Sequence, residues 1–390
     1  MKQINFIGFL ILISLAFSCK EKPNEETVSL RASTLDLSAI SNRLMQQINI
    51  TPGEKVFMVG MPGEFDSVIV LLSDRINAAG GVYMGTINVD TTAWPESWNN
   101  DFVKSTKGKS KEELIEILSG MDLGIMLPGP VPADAPYGAW QEIMKKQRGR
   151  AVHFHWAGAF DITGKGVAID SAISKIYENA VLNSNYNAIA AQQAEFESAI
   201  RRDGVVVTNP AGTNISFRIG DRPVTKQDGD ASKLRSDKGR NLIDREVEIP
   251  AGAIRVSPLE ETVEGVIVFP NGMWGDQKVE GLTVTFKKGK ITDIKATEGL
   301  ETVKTALAPG REGYLFRELV VGFNPLLAMS DTNPNILYYG YGAGIVRLSF
   351  GNSEEIGGLV RGDFVKINFF TDAMVIVGGD IWVKDGKLIK

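Results

Sequence analysis

Apolar positions along the first half of the chain fall into a strand–helix–strand rhythm. The run Lys55–Gly60 (KVFMVG) is followed by a helical pattern over Phe65–Ala79 that stops at Gly80-Gly81, and then by the extended run Val82–Val89. The same order continues with a helix over Lys111–Met121, a strand over Leu123–Leu127, a helix over Ala139–Gln147 and a strand over Ala151–Trp156. Strands separated by helices in this way predict a parallel sheet with helices on both faces. One long helix over Ser171–Arg202, ending at Asp203-Gly204, closes this unit. Beyond Gly204 the pattern shortens to alternating strands: Val205–Thr208, Asn214–Ile219, Ala253–Ser257, Gly265–Phe269 and Leu282–Phe286. Thr283–Phe286 and Ile291–Ala296, joined across Lys287-Lys288-Gly289-Lys290, read as a hairpin. A helix near Glu301–Ala308 and a last hairpin around Asp385-Gly386 complete a β-rich second half. The expected fold class is α/β: a parallel-sheet domain over residues 36–204, then a β-rich α+β domain over 205–390.

The extreme N-terminus follows neither pattern. Lys2 precedes the apolar run Phe6–Phe17, which ends at Ser18-Cys19. About a dozen apolar residues suit a signal peptide, and a spanning helix needs about 20. A small residue directly before cysteine marks lipoprotein processing, so residues 1–18 are expected to be removed and Cys19 to carry the lipid. Residues 19–35 form the tether, and the stretch Lys20–Thr27 offers nothing apolar to bury. The expected location is the cell envelope, on the periplasmic or outer-membrane side, with the lipid anchor as the membrane contact.

Composition narrows the function classes. The 390-residue chain is 43% hydrophobic and 23% charged with net charge −5, and it contains no basic block. Nucleic-acid binding is excluded, because phosphate neutralisation needs clustered Lys and Arg. Cys19 is the single cysteine, which rules out an internal disulfide and a thiolate zinc site. His153 and His155 are the only histidines. At i, i+2 on a strand they share one face and could bind a metal, but no acidic third ligand lies near them in sequence, and they read as a structural pair beside Trp156. Trp94 and Trp98 read as lid or packing residues around a loop. Gly164-Lys165-Gly166 lacks the strand-to-helix context of a phosphate loop and reads as a turn.

Several segments of the second half resemble the thermophilic metallo-aminopeptidases, the family of aminopeptidase T and aminopeptidase S. They are Pro250–Phe269 (PAGAIRVSPLEETVEGVIVF), Gly212–Arg222 (GTNISFRIGDR), Val279–Gly299 and Arg317–Pro325 (RELVVGFNP), with Pro52–Val56 fitting the same order earlier. The resemblance implies a two-domain homodimer whose second domain holds two divalent metals through Glu, Glu, His, His and Asp. Carried over one at a time, those ligands fall on Ala253, Glu318, Arg347, Arg361 and Asp363, and the family's Ser-Tyr pair falls on Ser353-Glu354. Only Glu318 and Asp363 keep a ligating side chain. Arginine is always protonated and offers no lone pair. The histidines of the other domain are not expected to substitute. The expectation is therefore an envelope pseudoenzyme without a cofactor, binding a small ligand, peptide or partner in the inter-domain cleft. The alternative is an aminopeptidase or other hydrolase with a rebuilt site, in which Glu318, Asp363 and Glu354 or Asp372 hold one zinc, cobalt or manganese ion. In the first case Arg347 or Arg361 is expected within about 4 Å of Glu318 or Asp363, as a permanent cation in place of the metals.

Overall fold

A computed structural model describes residues 35–63, 65–90, 95–308 and 313–390. Cys19, the signal segment, the Lys20–Thr27 tether and Trp94 lie outside these. Among the described residues, no helix is long and apolar enough to cross a membrane.

The first half forms a five-stranded sheet in the order Val82–Asn88, Lys55–Gly60, Leu123–Met126, Arg150–Phe154 and Glu246–Ile249, with every pairing parallel. Val56 and Met58 point into one apolar core and Phe57 and Val59 into another, so both sheet faces are covered. On the second face the helix Ala135–Lys145 lays Trp140 edge-on against Phe57, with ring centroids 5.0 Å apart, and its indole donates to the Arg150 carbonyl at 3.1 Å. Gly124 makes room for that indole, since a Cβ there would sit 2.8 Å from Trp140 Nε1. The helix Lys111–Leu118 begins with a reciprocal cap between Ser110 and Glu113 and buries Leu114 and Leu118, one turn apart.

Two sequence expectations change here. The long helix over 171–202 is two helices, Ser171–Asn183 and Tyr186–Arg202. Ser184 is extended, and the Asn185 side chain accepts from the Ala188 amide at 3.1 Å, starting the second helix afresh. Short polar side chains that bond their own backbone favour a cap over a helix interior. The second change is the strand Glu246–Ile249, which lies beyond the expected boundary at 204/205 and yet is an edge strand of the first sheet.

Among the described residues the second half contains two large antiparallel sheets and a two-stranded one, Gly272–Trp274 with Gln277–Val279. An eight-stranded sheet includes Val205–Thr208, Asn214–Phe217, Glu264–Val268 and the hairpin Thr283–Lys287 with Lys290–Lys295. A six-stranded sheet runs Val365–Lys366, Val346–Gly351, Phe316–Gly322, Ala253–Val256, Val224–Gln227, with Phe369–Phe370 also on Val346–Gly351. Three residues, 250–252, join Glu246–Ile249 in the parallel sheet to Ala253–Val256 in the six-stranded one.

Candidate functional site

Register decides which side chains meet on the six-stranded sheet. Val320 pairs with Arg255 on one side and with Arg347 on the other, so both arginines flank one position of the central strand. Glu318, two residues earlier, lies on the same face as Val320. The two guanidinium groups converge on its carboxylate. Arg347 Nη2 donates to Oε1 at 3.0 Å, and Arg255 Nε donates to Oε2 at 3.1 Å. The register shifts between Phe316 and Glu318, leaving Arg317 as an extra residue on the bulged strand. A bulge re-aims a side chain; Arg317 Nε lies 3.3 Å from Glu318 Oε1. Glu355 closes the network, accepting from Arg255 Nη2 at 2.9 Å and from Arg317 Nη2. Arg347 Nη1 donates to the Tyr339 carbonyl at 3.0 Å. Burial alone would raise the Glu318 carboxyl, but Arg255, Arg347 and Arg317 outweigh it and hold the group well below the usual carboxylate range.

The opposite wall comes from the parallel sheet. His153 pairs with Glu248 and Ala151 with Glu246, so the period of two puts His153, Glu246 and Glu248 on one face. His155 follows at the strand end. Its ring lies over that of His153, with centroids 3.1 Å apart and planes tilted by 35°. Tyr137, from the helix covering this face, donates to Glu246 and has its hydroxyl 2.5 Å from His153 Nδ1. Gln141 also donates to Glu246, at 3.1 Å. One ligand atom each from His153, His155 and Glu248 lie within 4.8 Å of one another. Burial pushes His153 down to about 3 and, with His153 beside it, pushes His155 well below the ordinary histidine range. Burial pushes Glu246 and Glu248 up. The two walls enclose a cleft of about 300 Å³ lined by both histidines, Glu246, Glu248, Tyr341 and the arginine–glutamate network.

Of the five carried-over positions, the structure brings Glu318 and Arg347 together and leaves Arg361 and Asp363 outside. Arg361 pairs with Glu354 at the surface, where both are more than half exposed, and Asp363 is exposed beside it. Asp372 is exposed as well. A metal centre built on Glu318 and Asp363 is therefore corrected: one carboxylate is locked among arginines and the other faces solvent. Ala253 is fully buried and carries no donor. The dinuclear centre that the resemblance implies does not fit these residues.

Sequence reasoning missed Arg255, Arg317, Glu355, Glu246, Glu248 and Tyr137. Arg255 stood two positions from Ala253, on the same face of a strand. Glu246 and Glu248 alternate with apolar Val247 and Ile249 before Pro250, a half-buried strand pattern. The histidines were read as having no acidic third ligand nearby in sequence. Glu248 supplies one through parallel pairing of strands remote in the chain. The two histidines, expected in the other half and not as substitutes for the missing ligands, line the wall facing the arginine network.

Comparison with known proteins supports the family reading. The thermophilic metalloprotease (M29) family model matches residues 225–313. AmpT from Thermus thermophilus superposes with a TM-score of 0.58 at 15% identity, over 91% of this chain and 99% of that one. The fold is of the aminopeptidase T type. A 2,5-dihydroxypyridine dioxygenase from Pseudomonas putida KT2440 shares the aminopeptidase T-type fold, with a TM-score of 0.60 at 14% identity over 90% of this chain and 96% of that one. Comparison with curated proteins gives no significant match. The thermophilic metalloprotease family match begins inside the second half, includes the Ala253 position and ends before Glu318.

Proposed function

We propose that this is a lipid-anchored envelope protein that keeps the aminopeptidase T-type cleft, lacks dinuclear-metal peptidase chemistry and binds a carboxylate-bearing small molecule or peptide end there. The observation that carries the reading is the buried Arg347–Glu318–Arg255 network at the position where the family's metals would sit. Clustered carboxylates without a metal need another cation, and arginine supplies a permanent one. Glu318 is thereby committed to an ion-pair network and cannot also serve as a metal ligand. Three guanidinium groups face two carboxylates on this wall, leaving a surplus positive charge. Among the described residues Arg347 Nε has no hydrogen-bond partner, so a donor is left over as well. Guanidinium forks match carboxylates in bidentate geometry, which gives the ligand its class. Anchoring at Cys19 and placement on the envelope membrane rest on the Phe6–Cys19 pattern, and dimerisation rests on the family alone.

The purified chain, offered aminoacyl and peptide substrates with zinc, cobalt or manganese, is expected to release no product. Small carboxylates and short peptides are expected to raise its melting temperature, and Arg347→Ala to remove that shift. Chelator-sensitive peptide cleavage by the wild type would defeat this reading.

A further inference from the structure

The wall facing the arginines has its own chemistry. We propose that His153, His155 and Glu248 form a mononuclear site for a divalent transition-metal ion, in the parallel-sheet half of the cleft and separate from the five positions the family uses. Two imidazoles and one carboxylate are the donor set of catalytic zinc sites with three protein ligands, and of facial-triad iron sites. In a tetrahedral site, bonds of about 2.0–2.1 Å hold donors about 3.3 Å apart. The three donor atoms here lie within 4.8 Å of one another. Closing that distance asks the Glu248 carboxyl and the His155 ring to turn about their own side-chain bonds, with His153 held in place and the backbone register already setting it beside Glu248.

Two independent features point to a cation. The Glu248 carboxyl has a side-chain hydrogen bond with Tyr341, but its Oε2 is buried with no hydrogen-bond partner among the described residues, an arrangement that costs stability unless something satisfies the oxygen. The other feature is the support behind His153. Tyr137 has one hydroxyl proton and donates it to Glu246, so its oxygen accepts from His153 Nδ1–H, 2.5 Å away. Glu246 Oε1 itself lies 3.4 Å from that nitrogen. This fixes the tautomer with its lone pair on Nε2, as the carboxylate partner behind a metal-bound histidine does. Three protein ligands leave a coordination position open, and the space beside them is the cleft rather than packed core. The ligating role has thus moved across the cleft, from the wall where arginines replaced it to the wall that supplies histidines.

The test is a zinc titration of the full chain after chelator treatment, followed calorimetrically, with cobalt(II) as a spectroscopic stand-in. One equivalent of zinc is expected, and cobalt should give visible absorption of a low-symmetry site with nitrogen and oxygen donors. His155→Ala and Glu248→Gln should each weaken zinc by about 100-fold or more, and Tyr137→Phe by about 10–100-fold through the supporting hydrogen bond. Cys19→Ser and Asp363→Asn should leave zinc affinity unchanged. Circular dichroism of each variant separates loss of metal from loss of fold, and X-ray absorption on the wild type, needing no variant, should show two imidazoles. The proposal is overturned if the wild type binds no zinc, if His155→Ala retains it, or if Glu318→Gln abolishes it while His155→Ala does not. The proposal is independent of the reading above: metal-dependent peptide cleavage lost with His155 would defeat that reading and leave this one standing.

Discussion

Arg347→Ala tests whether the arginine network is structural capital or decoration. The Arg347 side chain is 4% exposed and that of Glu318 1%. Truncation removes the 3.0 Å contact to Glu318 and leaves the Tyr339 carbonyl without its 3.0 Å donor. Breaking a buried ion pair by deleting one partner costs about 3–5 kcal/mol. The low end applies, because Glu318 keeps Arg255 at 3.1 Å and Arg317 at 3.3 Å. Mutual repulsion among the three arginines is also relieved, which offsets the orphaned carbonyl. The expected loss is about 3 kcal/mol, and with an m-value of about 3 kcal/mol per molar urea the unfolding midpoint falls by about 1 M. Equilibrium urea unfolding followed by tryptophan fluorescence measures it. The double variant Arg347→Met/Glu318→Leu should lose more than the single one, because it also leaves the buried Arg255 without its 3.1 Å carboxylate partner. A midpoint within about 0.2 M of wild type for Arg347→Ala would refute the argument that Glu318 needs this cation.

Other outcomes follow from the same geometry. Glu318 titrates in the folded state well below its ordinary 4.5, so its contribution is fully present above pH 4.5 and is lost as pH falls below that value; the stability gap between wild type and Glu318→Gln should narrow in acid, and a gap that widens would contradict the sign. Asn185→Ala should cost about 1 kcal/mol in urea unfolding by removing the cap on the second of the two helices, whereas no change would favour one continuous helix. Arg361→Ala should change stability by less than about 0.5 kcal/mol, because its pair with Glu354 is exposed. Cys19→Ser should release the protein from the membrane fraction; unchanged fractionation would remove the lipid anchor.

Periodicity made the parallel sheet legible, because both its faces are covered and its strands read as apolar runs between helices. It could not show that Glu246–Ile249 belongs to that sheet, since parallel pairing joins segments remote in the chain and leaves no local trace. The same gap hid Glu248 from the histidines. Motif alignment pointed to Glu318 and Arg347, which the structure brings into contact across paired strands. After Gly351 a turn through Glu354–Ile356 precedes the short strand Val365–Lys366, a stretch without the fixed spacing of long paired strands. Arg361 and Asp363 were assigned in that stretch. Arg317 enters the network through a bulge, which strict alternation of side chains does not anticipate.

The late-arriving edge strand limits how this molecule can be cut. A fragment ending near residue 204 would carry four of the five parallel strands and leave Arg150–Phe154 with an open hydrogen-bonding edge where Glu246–Ile249 had been. That edge is buried in the intact chain and rich in apolar side chains, the profile of a surface that recruits other strands and aggregates. Soluble expression of the first half would require residues 246–249 to be supplied, on the same chain or in trans.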